Sequence, residues 1–134
     1  KLLDKAIQLV EKMKLAGRRD IDHLLPHALH TQACIYHRLG KFMSALNSIE
    51  SSMKEYRKLL GDSEEKAWLP DIAKMKIIKG DILFDFGKKE EAENILQEVI
   101  TQMDALKNED FGTKCMRIAR RARHVLSSKR RSSL

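Results

Sequence analysis

Aromatic residues, glycine and proline are scarce in this chain of 134 residues, which holds four Phe, two Tyr, one Trp, six Gly and two Pro. A β-sandwich or barrel needs β-branched and aromatic strands broken by many Gly and Pro turns, so that class is excluded. Cysteine is scarce too. Cys34 and Cys115 stand 81 residues apart with no CxxC element. That rules out a disulfide framework and points to a reducing compartment. No apolar run approaches the roughly 18 residues of a membrane span. A soluble, cytoplasmic protein is expected, with the nucleus as the alternative. The chain begins at Lys1 without a signal peptide and reads as a piece of something longer. Catalytic motifs are missing as well: there is no GxGxxG, P-loop, HExxH or GxSxG. The chain is read as a non-enzyme without a cofactor.

What is present is 43% hydrophobic and 34% charged residues, the balance of one folded domain. Most of the common residues are good helix formers. Apolar positions recur at helical spacing throughout and never alternate for long. Leu2, Leu3, Ala6, Ile7, Val10 and Met13 mark a first helix, ending before Gly17. Leu25, Leu29, Ala33 and Tyr36 mark a second, stopped by Gly40. Ala45, Ile49, Met53 and Tyr56 mark a third, stopped by Gly61. A fourth runs to Gly87, and Ala92, Leu96, Val99 and Met103 mark a fifth. Cys115, Ile118, Ala119, Ala122 and Val125 mark a sixth. Asp20 or Asp22, and Asp62 or Ser63, are expected caps. Pro26 and Pro70 sit near helix starts, where a missing N–H costs little. The end, SSKRRSSL, lacks apolar spacing and is expected to be a flexible tail.

The net charge of +7 is unevenly spread. After Asp110 there is no acidic residue, while Lys114, Arg117, Arg120, Arg121, Arg123, Lys129, Arg130 and Arg131 follow. Residues 1–110 are therefore nearly neutral, and the basic pI describes one patch.

Helices two and three share a grammar with helices four and five. The first pair reads Leu29-x2-Gln32-Ala33-x2-Tyr36, Gly40-Lys41-Phe42, Ala45-x3-Ile49. The second reads Lys76-x2-Lys79-Gly80-x2-Leu83, Gly87-Lys88-Lys89, Ala92-x3-Leu96. The register shift is 47 residues. Ala33, Gly80, Ala45 and Ala92 are expected where two helices cross closely, and Gly40 and Gly87 in the turns. Ala6-x3-Val10 repeats the second half of the unit.

This pattern resembles the tetratricopeptide repeat, W-x2-L-G-x2-Y…A-x3-F, in the longer form found in kinesin light chain-type proteins. It departs from the family at Gln32, Lys76 and Lys79, where apolar groups are usual, and it lacks the Trp. The resemblance implies an all-α fold of antiparallel helix pairs stacked as a right-handed superhelix of about six helices. The divisions are a half repeat 1–19, a repeat 20–61, a repeat 62–107, a basic capping helix 110–126 and a basic flexible tail 127–134. An opening half repeat leaves an apolar edge at the N-terminus for preceding chain or a partner.

In that family the first helix of each pair lines a concave groove that binds peptides or helices. The matching positions are His27, His30, Cys34, His37 and Arg38, then Lys74, Ile77, Asp81, Phe84 and Asp85. Chaperone-binding members hold a terminal carboxylate with paired Lys and Asn. Here His30, Cys34, Ile77 and Asp81 occupy those places, so chaperone tails are not expected to bind. The resemblance implies a protein or peptide partner, or a neighbouring segment of the same longer chain.

His23, His27, His30, Cys34 and His37 fall within roughly an 80° arc of one helix face. Imidazole and thiolate are zinc ligands, but a linear stripe puts only two on one metal. No metal site is expected there. The basic end reads as a solvated capping helix. The alternative is docking on nucleic acid or anionic lipid through 114–131. No aromatic is interleaved to stack bases. Arg130-Arg131-Ser132-Ser133 offers Ser133 as a candidate phosphosite, where phosphate would subtract about 1.5–2 charges.

Overall fold

The computed structural model describes residues 2–15, 24–61 and 69–132. These form six helices: α1 (Leu2–Leu15), α2 (Leu24–Arg38), α3 (Phe42–Leu60), α4 (Leu69–Asp85), α5 (Lys89–Ala105) and α6 (Gly112–Ser132). No strand occurs among the described residues. The fold class is all-α. The expected stop at Gly17 and the expected caps Asp20, Asp22, Asp62 and Ser63 lie outside the described residues.

The chain divides into two units, Lys1–Ser63 and Glu64–Leu134. In the first, α2 and α3 form a hairpin and α1 packs on α2. Ile7 of α1 meets Leu25 and Leu29, with Leu3, Val10 and Ala28 partly buried beside them. The opposite side of α1 leaves Leu2 and Leu9 exposed.

Gln32, out of place in an apolar pattern, ties this unit together. Its amide Nε2 donates to Asp4 Oδ1 on α1 at 2.8 Å. Its Oε1 accepts from Ser48 Oγ on α3 at 2.8 Å. The fully buried Ser52 hydroxyl donates to the Pro26 carbonyl at 2.6 Å. These buried polar groups are satisfied and therefore tolerable.

In the second unit, α4 and α5 form a hairpin, and α6 packs against both. Its core joins Ala73 and Ile77 of α4, Leu96, Val99, Ile100 and Met103 of α5, and Cys115, Ile118, Ala119, Ala122 and Leu126 of α6. Lys76, the second misfit, is largely buried along its side chain and pairs with Glu98 Oε1 on α5 at 2.6 Å.

The two hairpins turn in the same way. Gly40 has φ 75° and Gly87 has φ 86°, the left-handed region that side chains resist. Lys41 N–H donates to Tyr36 O at 2.9 Å and Gly40 N–H to His37 O at 3.1 Å. Forty-seven residues on, Lys88 N–H donates to Leu83 O at 2.8 Å and Gly87 N–H to Phe84 O at 3.1 Å. Each is a Schellman cap. Ala33, Ala45 and Ala92 are fully buried, and Gly80 is buried. A Cβ on Gly80 would lie 2.9 Å from Leu96 Cγ and 3.1 Å from Ile95 Cγ2, so α4 and α5 approach closely there.

Two expectations need correction. The segment 127–134 is not a loose tail from its start, since α6 continues to Ser132. Leu126 is buried, and Lys129 and Arg130 just beyond it reach acidic partners, which hold the extra turns. Ile77 is not a groove residue. It is 2% exposed and belongs to the core. The cause is that α4 buries Pro70, Ala73, Met75, Ile77, Gly80, Ile82 and Leu83, positions spread around its circumference. Such a helix has no single apolar stripe from which to read its orientation.

Candidate partner-binding surfaces

On α2, His27 and Arg38 are exposed while His30, Cys34 and His37 are half-buried. The His27 and His30 rings meet edge-on with centroids 6.4 Å apart. Thr31 Oγ1 donates back to the His27 carbonyl at 3.1 Å. His37 sits edge-on to Phe42 at 5.9 Å, across the Gly40 turn. With Arg38 it occupies the last turn of α2, where positive charge suits the helix dipole. His23 lies outside the described residues. Among the described residues, no three ligand atoms of the His and Cys stripe lie close enough together to hold a metal ion.

On α4, Lys74 is exposed and Phe84 is half-buried against the core of its own unit. Asp81 and Asp85, one turn apart, converge on Lys129 of α6. The Lys129 ammonium lies 3.0 Å from Asp81 Oδ1 and 2.7 Å from Asp85 Oδ1. Burial works against the Lys129 charge, but its hydrogen bond to Asp85 and the charge of the Asp81 carboxylate beside it outweigh that and raise its pKa above the ordinary 10.5. The cation is therefore held through neutral pH. Its contribution to stability is present below 10.5 and is lost only as the pH climbs beyond that value.

The eight basic residues after Asp110 thus separate into two groups. Lys114 pairs with Asp71 at 2.8 Å, Lys129 with Asp81 and Asp85, Arg130 with Glu93 at 3.5 Å, and Arg123 with Asp104. Arg117, Arg120, Arg121 and Arg131 are exposed and make no ion pair among the described residues. Ser133 lies outside the described residues. Between α5 and α6 runs an open polar groove of about 500 Å³, walled by Gln97, Thr101, Asp104, Arg123, Ser127 and Arg130.

No family model, curated protein or solved structure matches this chain. No described helix is long and apolar enough to cross a membrane.

Sequence reasoning missed Lys129 as a clamp, because SSKRRSSL shows no apolar spacing. The signal was the position of Lys129 three residues after Leu126, within one helical turn of a core residue. It also missed Cys115 as a reporter. That thiol is fully buried, and burial raises its pKa; Glu109 adds to the rise while Lys114 opposes it. A buried neutral thiol is inert toward thiol reagents.

Replacing Lys129 with Gln removes the cation from between two carboxylates that are about one-third exposed. An expected loss of about 1 kcal/mol comes with earlier fraying of residues 127–132, read as faster amide hydrogen exchange there. Unchanged exchange would mean that Leu126 alone anchors the helix end.

Proposed function

We propose that the chain is a run of tetratricopeptide-like repeats, built as a right-handed superhelix, whose task is to bind a peptide or helix of a protein partner. The observation that carries this reading is the repeated hairpin. The same cap at Gly40 and Gly87, and the same buried small residues at Ala33/Ala45 and Gly80/Ala92, recur 47 residues apart. Helix α6 packs on both members of the α4–α5 pair, as the first helix of a following repeat does. In such a module the first helix of each pair faces the partner. That assigns contact to His27, His30, Cys34, His37 and Arg38 on α2, and to Lys74, Asp81, Phe84 and Asp85 on α4. Half-buried rings beside exposed charge suit an extended or helical peptide. The function is adaptor-like and non-enzymatic, in the cytoplasm.

His27 and Lys74 are exposed and can be changed without touching the core. Panning a displayed peptide library on the chain is expected to enrich peptides that lose at least about tenfold in affinity, or 1.4 kcal/mol, on His27→Glu or Lys74→Glu. Glu91→Lys on the exposed edge of α5 leaves their binding unchanged. Enriched peptides that bind all three variants equally would remove these helix faces as the site.

A further inference from the structure

The four arginines without partners share one face of α6. At about 100° per residue, Arg117, Arg120, Arg121, His124 and Arg131 fall within an arc of roughly 100°. All five are exposed. The opposite side of the helix is consumed by the core, through Cys115, Ile118, Ala119, Ala122 and Leu126. On one flank Lys114 and Lys129 are neutralised by acids of α4. On the other, Arg123 and Arg130 are neutralised by acids of α5. Every lysine of α6 is paired, and the unpaired cations of the outward face are all arginines.

We propose that this outward face grips the backbone of duplex nucleic acid without reading its sequence. Guanidinium groups bind phosphate through two parallel hydrogen bonds, which ammonium groups cannot do. No carboxylate lies on α6 to repel phosphate. Arg117 and Arg131 are fourteen residues apart, roughly 21 Å of helix. Arg117, Arg120 and Arg121 crowd one end, and Arg131 stands about 15 Å beyond Arg121, with His124 and the smaller Ser128 between. A cluster of three and a single arginine so spaced suit phosphates on the two rims of a groove about 12 Å wide.

A duplex carries one negative charge per roughly 1.7 Å of its axis, so a rigid row of arginines meets phosphate in any register. An acidic protein would instead need carboxylates matched to that fixed row. An anionic membrane would gain no inserted apolar face, because the apolar side of α6 is already in the core. The segment 112–132 holds no Asn or Gln to read adenine and no Phe, Tyr or Trp to stack on bases, and its arginines are the groups left to meet phosphate. The proposal does not depend on the peptide-binding reading, since it uses a different face and different residues.

The test is fluorescence anisotropy of the whole chain with labelled DNA and RNA duplexes of about 24 base pairs, in two unrelated sequences, between about 50 and 200 mM salt. Expected is binding that differs less than about twofold between sequences. The slope of log K against log salt should lie near −3 to −4, as for about four phosphates. Arg117→Gln, Arg120→Gln, Arg121→Gln and Arg131→Gln together abolish binding, and each alone lowers the slope by about one. Arg130→Gln, on the paired flank, changes affinity less than about threefold. Circular dichroism checks that the fourfold variant keeps its helices; if it does not, the single variants decide. Three results overturn the proposal: no duplex binding at about 50 mM salt, a slope indifferent to these arginines, or capture of polyglutamate or phosphatidylserine vesicles in place of duplex.

Discussion

Gly80→Val is expected to lower the stability of the unit Glu64–Leu134 by about 2–3 kcal/mol. Two terms compete at this position. Any side chain but proline's in place of Gly gains helix propensity, up to about 1 kcal/mol for alanine. Against that, the new Cβ would sit 2.9 Å from Leu96 Cγ, 3.0 Å from Leu96 Cδ2 and 3.1 Å from Ile95 Cγ2. Leu96 is fully buried and cannot swing aside into water. Alanine should come out near neutral, since the clash and the propensity roughly cancel. Valine adds two more methyl groups to the same contact, and overpacking of that kind costs about 1–3 kcal/mol. Leu96→Ala alone should cost about 2–5 kcal/mol through the cavity it leaves. Combined, the two changes relieve each other, because valine occupies space that leucine vacated. Urea unfolding of the four proteins should show the double variant at least about 1 kcal/mol more stable than additivity allows. Strict additivity would mean that α4 and α5 do not meet at this crossing.

The same crossing explains why the repeat is faint in sequence. In the register shift of 47, Ala33 stands for Gly80, Ser48 for Ile95 and Ser52 for Val99. The first hairpin has a methyl on α2 and small hydroxyl residues on α3. The second has no side chain on α4 and branched apolar ones on α5. A methyl on α2 faces smaller residues on α3, so a close crossing is kept while each residue type changes, and matching residue to residue underrates the likeness. The turns were legible because a Schellman cap demands a left-handed residue, which glycine supplies at both places. The number of helices was legible from the 3.6-residue period, which is local, as were the ends that a glycine turn marks at Gly40 and Gly87.

What escaped the sequence depends on partners distant along the chain. Gln32 is polar where the period calls for an apolar group, and its partners Asp4 and Ser48 lie 28 and 16 residues away. Lys129 lies 44 residues from Asp85, so apart from its place one turn after Leu126 nothing in the sequence announces that the helix continues. The basic patch reads as one run of charge in sequence. Only packing separates its paired flanks, against α4 and α5, from its outward arginines. Ile77 was misplaced for a different reason: α4 buries residues around most of its circumference, and a helix without a single apolar stripe is not oriented by its pattern.

Gly112→Ala is the other large effect, and no sequence signal marked it. The position is buried, its backbone N–H donates to Glu109 O at 2.8 Å, and an added Cβ would fall 1.9 Å from the Lys107 carbonyl oxygen. Backbone is the obstacle here, so no rotamer change can relieve it. The turn 106–111 must rebuild, and that turn sets where α6 begins against α5. A shift at its first residue is carried into Cys115, Ile118, Ala119, Ala122 and Leu126, all buried. The expected loss is about 2–4 kcal/mol, the range of backbone strain combined with core disruption. Cys115 gives a direct readout, because it is fully buried in the first turn of α6. In the parent chain it should resist a thiol reagent until the protein unfolds, while half-buried Cys34 reacts sooner. In Gly112→Ala, labelling of Cys115 should accelerate by the factor that the lost stability implies, about tenfold for each 1.4 kcal/mol, with Cys34 unaffected. Equal acceleration at both cysteines would mean that the whole chain had been weakened and would deny Gly112 a local role. An unchanged Cys115 rate would mean that the turn absorbs a methyl group and that α6 is positioned by its core face alone.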